Sequence, residues 1–192
     1  MSELDPDDPR VKRSRAAALA AARGLMLREG IDAVTHLRVA AAAGLGRKTI
    51  YRHWPTRDAL LRDTLSTADL PHARPTGELR RDLLEHLELL RRALVEGPLC
   101  FVLAVLIERS TLDSTFRALR DSLTEEGCRP LKEMLGAAIA RGDLPADLDV
   151  DRARAALEGP LFYRAMLLDS VEPAEVVEIV DGFLRMHAAR GG

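Results

Sequence analysis

A chain of 192 residues, 47% apolar and 30% charged, has the composition of an ordinary folded protein and room for one large domain or two small ones. Its longest wholly apolar run, LCFVLAVLI at 99–107, is too short to cross a bilayer, so no membrane association is expected. The formal net charge of −2 conceals an asymmetry: residues 10–62 hold twelve Lys or Arg against Glu29, Asp32 and Asp58, or +9, whereas 71–192 hold sixteen basic against twenty-one acidic residues, or −5. The remaining −6 lies in Glu3, Asp5, Asp7, Asp8, Asp63 and Asp69. A basic N-terminal third on an acidic remainder points to a polyanion partner for one part only; a merely solvated charged face is the competing reading.

Leu, Ala and Arg dominate while Val, Ile and Thr are sparse, which favours helix. Residues 1–9, with two prolines and four acids, are expected to be a disordered acidic tail. They lack the apolar core of a secretion signal, so a cytoplasmic protein is expected. Val11 to Glu29 predicts an amphipathic helix with Ala18, Ala22, Leu25 and Met26 on one stripe, and Gly30 stops it. Thr35 is placed to cap a short helix, HLRVAAAA. Gly44 permits a turn, Gly46 caps RKTIYRH, Pro55 ends that helix, and Thr56 caps the next, with Asp58 in its first turn.

LPHARPTGE, Leu70 to Glu78, forms the linker between a domain at 10–70 and another at 71–192. Beyond it, helices are expected at about 78–95, 99–109, 113–141, 149–169 and 173–188. Pro130 should kink or split the third of these, Gly142 should end it, Asp149 should cap the fourth, and Pro173 suits the first turn of the last. No segment alternates as a strand does. The fold class is therefore all-α, with about nine helices.

A helix-turn-helix demands a small residue where its helices cross, a turn residue tolerant of positive φ, and apolar contacts to a supporting helix. Ala40, Gly44, and Val39, Ala43, Leu45 and Ile50 meet these needs in order. Ile50 and Trp54 share the inward face of the second helix, leaving Arg47, Lys48, Tyr51 and Arg52 outward. Arginine can fork to guanine, and lysine can reach guanine or phosphate.

The stretch GIDAVTHLRVAAAAGLGRKTIYRHWPTRDALL, Gly30 to Leu61, resembles the DNA-binding region of TetR/AcrR-family transcriptional regulators. The likeness is carried by Gly30, Thr35, Val39-Ala40, Ala43-Gly44-Leu45, Tyr51-x-His53-Trp54 and Arg57-Asp58-x-Leu60. Three features depart from the pattern: Trp54 for Phe, Gly46 for a side-chain cap, and Met26 where helix 1 often has Phe. ARGDLPADLD followed by GPLFYRAML resembles a C-terminal variant of the same family.

The resemblance implies a three-helix DNA-binding domain followed by a helical effector-binding and dimerisation domain. It implies that Arg47, Lys48 and Arg52 read bases, and that Thr35, Thr49, Tyr51, His53 and Arg57 hold phosphates. Arg10, Lys12, Arg13 and Arg15 form a possible further DNA arm. The residues themselves leave alternatives: Thr35 as a cap only, Arg52 and the Arg10–Arg15 run as solvated charge, Tyr51 as an edge of the core. A homodimer would set two reading helices on a palindromic double-stranded operator, through Leu157, Leu161, Ala165, Leu168, Val176, Val180 and Phe183 or else with these packing only inside the subunit. A small-molecule effector is implied, with His86, Phe101, Val105, Arg109, Phe116, Met134, Phe162, Tyr163 and Met166 as pocket candidates. The expected function is a ligand-responsive repressor; the alternative is a helical module whose basic third binds an acidic protein. Five scattered histidines and two cysteines, Cys100 and Cys128, without ligand spacing give no metal site, no cofactor motif and no catalytic constellation, so an enzyme is not expected.

Overall fold

The structure is a computed structural model and describes residues 9–66, 75–168 and 170–187. The expected acidic tail lies outside these residues but for Pro9, and so does most of the expected linker. Nine α-helices are present among the described residues: α1 Pro9–Glu29, α2 His36–Ala43, α3 Arg47–His53, α4 Arg57–Ser66, α5 Leu79–Val95, α6 Leu99–Leu112, α7 Ser114–Arg141, α8 Val150–Leu167 and α9 Pro173–His187. A 3-10 turn, Ile31–Ala33, joins α1 to α2; no feature of the sequence had announced it.

Helix boundaries follow local chemistry. Asp149 caps α8 by accepting from the N–H groups of Asp151 and Arg152, and Thr56 accepts from Ala59 at the start of α4. Gly142 ends α7 at φ 82°, with the Asp143 N–H donating to the Ala138 carbonyl, a glycine-dependent stop. At the entry to α5 the buried Asp82 accepts from the Thr76 N–H and hydroxyl and the Gly77 N–H. Burial pushes this carboxyl up, but the hydrogen bonds outweigh it and hold Asp82 below its ordinary value. The split expected at Pro130 does not occur: α7 is assigned as one helix of 28 residues through it, as α8 is through Pro160.

The chain divides into two compact units. One comprises Met1–Ala68 with Ala104–Leu119, the other Asp69–Leu103 with Arg120–Gly192. The second half of α6 and the first turns of α7 group with the N-terminal helices. Val105, Leu106 and Phe116 are buried, so this stretch contributes apolar area to a unit three of whose four own helices are short.

In the first unit, Ala18, Leu19, Ala22, Leu25 and Met26 of α1 are buried together with Val39 and Ala40 of α2, Ile50 of α3, Trp54, and Leu60, Leu61 and Leu65 of α4. The second unit packs Leu83, Leu87 and Leu94 of α5, Leu131 and Leu135 of α7, Leu157 and Leu161 of α8, and Val176, Val180 and Phe183 of α9 into one core. This packing corrects the dimer face read from the sequence. Leu157, Leu161, Val176, Val180 and Phe183 are at most 5% exposed inside the subunit, which leaves them no area for a second copy. Ala165 packs against the same core, and only Leu168, 50% exposed, faces outward.

Candidate nucleic-acid interface

The geometry of the basic unit starts at Gly44, whose φ of 65° is left-handed. A side chain there would cost roughly 1–2 kcal/mol in backbone strain. With glycine in place, the Leu45 N–H reaches the Ala40 carbonyl at 2.9 Å, closing the turn and aiming α3 away from α2. Ala40, 3% exposed, lies buried as the crossing of two short helices requires. Gly46 caps α3 without a side chain. Buried Ile50 and Trp54 hold α3 against the unit's core, and this leaves Arg47, Lys48, Tyr51 and Arg52 exposed on the other side. Thr49 and His53 are half-buried at the margins.

Thr35 caps α2 by accepting from the Arg38 N–H at 3.3 Å, and its own hydroxyl proton remains available as a donor. Tyr51, 54% exposed, lies flat on the ring of His36, with centroids 4.2 Å apart and planes within 2°. His36 is buried, and its Nε2 donates to the Trp54 carbonyl at 2.7 Å. A carbonyl can only accept, so the proton is on Nε2.

His53 meets α1. Its Nε2 lies 3.2 Å from Ser14 Oγ. The Ser14 hydroxyl already donates to the Val11 carbonyl at 2.9 Å, so Ser14 accepts and His53 donates. Burial lowers the His53 pKa below its ordinary value, and the guanidinium groups of Arg52 and Arg15 lower it further.

Two expected DNA ligands have other work. Arg57 donates through Nε to the Val34 carbonyl at 2.9 Å and through one terminal nitrogen to the Ile31 carbonyl at 2.8 Å, with Asp32 at 3.1 Å. It therefore ties α4 to the 3-10 turn, supplying a donor to the Val34 carbonyl and a second one to the Ile31 carbonyl, which also accepts from the Val34 N–H at 3.1 Å. Arg15 pairs with Asp63 and lies over the Trp54 ring at 5.9 Å, so its charge is already engaged within the unit. Arg10, Lys12 and Arg13 remain exposed at the start of α1.

Asp63 and His36 were missed by sequence reasoning. Asp63 carried a faint signal: a tryptophan in place of phenylalanine brings an indole N–H that needs an acceptor when buried. His36 carried none, since its partner is a ring fifteen positions away on another helix.

The profile described as bacterial regulatory proteins, tetR family, matches residues 18–64. The one described as tetracyclin repressor-like, C-terminal domain, matches residues 73–183, more than half of the chain. The chain belongs to the TetR family.

Among TetR-family relatives, it is 32% identical over 189 residues to the HTH-type transcriptional regulator YdeS of Bacillus subtilis, covering 95% of this chain and 91% of YdeS. It is 31% identical over 173 residues to the DNA-binding transcriptional repressor TetR of Mycobacteroides abscessus, covering 88% of this chain and 90% of that protein. The crystal structure of the TetR family transcription regulator SCO0332 superposes with a TM-score of 0.71 at 29% identity, covering 90% of this chain and 97% of that one. The protein is thus a DNA-binding transcriptional regulator of the TetR family, a family of regulators and not of enzymes. No helix among the described residues is long and apolar enough to cross a membrane.

The effector-pocket candidates divide between the units. Val105, Arg109 and Phe116 fall in the first, and His86, Phe101, Met134, Phe162, Tyr163 and Met166 in the second. Met134 is in the second unit's core, Phe162 packs against it, and Tyr163 is 59% exposed. His86 is buried with its Nε2 3.2 Å from Glu158, which also accepts from Arg154 at 2.8 Å. Glu158 had not been singled out, although Arg154 four residues earlier on α8 was a legible partner. Both cysteines are free thiols, and burial pushes the Cys128 thiol up, away from reactivity.

Proposed function

We propose that the protein is a ligand-responsive repressor that binds a palindromic operator as a homodimer. The observation that carries this reading is the outward face of α3, where Arg47, Lys48 and Arg52 stand exposed while Ile50 and Trp54 anchor the opposite side. Arg47 and Lys48 occupy the first turn of α3, the part of a recognition helix that enters the major groove. In this reading Arg47, Lys48 and Arg52 meet base edges, and Thr35, Thr49, Tyr51 and His53 meet phosphates. Arg10, Lys12 and Arg13 add charge along the backbone.

A single short reading helix binds weakly, so two copies are needed. Self-association through α8 uses Tyr163 and Leu167, four residues apart on one face, with the adjacent Leu168; all three are at least half exposed. Repression is favoured over activation by the 31% identity to a DNA-binding transcriptional repressor. The effector site in this reading involves the second unit's buried His86 and Glu158 and the half-buried Arg154. Polar groups in an apolar interior are costly unless paired, and the Nε of Arg154 is buried without a hydrogen-bond partner among the described residues.

Selection of bound duplexes from random DNA tests the central claim. A palindrome with half-sites about one helical turn apart is expected. Binding without sequence preference at low salt would overturn the reading.

A further inference from the structure

We infer that His36 is a positioning residue for DNA binding, and that it acts by fixing the ring of Tyr51 on the recognition helix. The inference rests on the proposed phosphate contact of Tyr51 and adds a residue that does not itself reach the duplex.

Tyr51 is more than half exposed, and an exposed tyrosine ordinarily samples several rotamers. Here the His36 ring stacks on one face of the phenol, parallel within 2°. The covering ring is itself held at two places. His36 is the first residue of α2, directly after the Thr35 cap, and its Nε2 donates to the carbonyl of Trp54, the residue that caps the end of α3. Trp54 is buried at 2% exposure, so that carbonyl belongs to a fixed point of the core.

The chain of contacts therefore runs from core to Trp54 carbonyl, to imidazole, to phenol ring. The phenol hydroxyl is presented in one place before DNA arrives. Immobilising such a side chain in advance spares the ordering that binding would otherwise require. The same ring joins the start of α2 to the middle of α3, so the two helix-turn-helix elements offer Thr35 and Tyr51 in a fixed relation. A leucine or valine at position 36 would fill the volume but provide neither the flat face nor the donor.

The test is a double-mutant cycle in the full-length protein, using the duplex recovered by selection from random sequence. Tyr51→Phe removes only the hydroxyl and reports on the phosphate contact. His36→Gln keeps an amide donor near the Trp54 carbonyl but removes the ring; His36→Phe keeps a ring and removes the donor. His36→Gln is expected to weaken binding roughly three- to ten-fold in the wild-type background and to change nothing further beside Tyr51→Phe. His36→Phe is expected to lower the melting temperature yet keep most of the affinity of the folded protein. Equal losses from His36→Gln in both backgrounds would make His36 a structural residue only and overturn the inference. An inert Tyr51→Phe would instead remove the phosphate contact, and the inference with it. Circular dichroism at the assay temperature confirms that each variant is folded.

Discussion

The indole N–H of Trp54 donates to Asp63 across 2.8 Å, and the same carboxylate oxygen pairs with Arg15. One acidic side chain on α4 thus joins α1, the end of α3 and α4. It also removes the one polar penalty of placing tryptophan, not phenylalanine, in this core. Asp63→Ala should destabilise the protein by about 1–3 kcal/mol, because the indole N–H loses its partner. Trp54→Phe should recover part of that loss in the double variant, a coupling read by chemical denaturation. Strict additivity of the two changes would show that the bond contributes nothing.

Arg57 holds the Ile31 and Val34 carbonyls, and Val34 is fully buried. Arg57→Ala should therefore lower stability by about 1–3 kcal/mol. The slope of DNA affinity against salt should stay the same below the melting transition. A slope reduced by about one would return Arg57 to the phosphate backbone.

Arg47 is exposed at the first position of α3. Arg47→Ala should weaken binding to the preferred operator by about 1–3 kcal/mol and flatten preference at one base pair of each half-site. Fluorescence anisotropy with single-site operator variants measures both; undiminished discrimination would take Arg47 out of the reading set.

The His53 pKa is depressed by burial and by Arg52 and Arg15. Its contribution to stability is therefore present above the ordinary histidine range and is lost as pH falls through the folded-state value. A DNA phosphate acts in the opposite sense. Neutral His53 uses its proton on Ser14, so donation to a phosphate through Nδ1 requires a second proton. DNA binding should accordingly be accompanied by proton uptake, and affinity should rise as pH is lowered toward the histidine range while the free protein becomes less stable. Calorimetry in buffers of different ionisation enthalpy counts the protons. His53→Gln should abolish the uptake; uptake that persists would place it on another group.

Leu168 faces outward, whereas Leu157 is fully buried in the subunit. Leu168→Glu should yield a monomer with weakened operator binding and a near-normal melting temperature. Leu157→Ala should cost about 2–5 kcal/mol of stability. Analytical ultracentrifugation separates these outcomes; a Leu168→Glu dimer would move the interface elsewhere.

Much of this fold was legible in the amino-acid order. Thr35, Gly44, Gly142, Asp149 and Pro173 mark helix ends through interactions within a few residues, and such local chemistry does not depend on the remainder of the chain. The outward setting of Arg47, Lys48 and Arg52 followed from helical periodicity, since Ile50 and Trp54 had to turn inward. The tertiary structure decided which polar side chains are already engaged. Arg57 and Arg15 look like free cations in sequence, and only long-range packing brings the Ile31 carbonyl and Asp63 to them. It decided likewise that the apolar stripes of α8 and α9 face their own subunit, because periodicity identifies a buried face but not the partner that buries it. The stack of Tyr51 on His36 is of the same kind, made by two helices crossing at an angle that no local rule specifies.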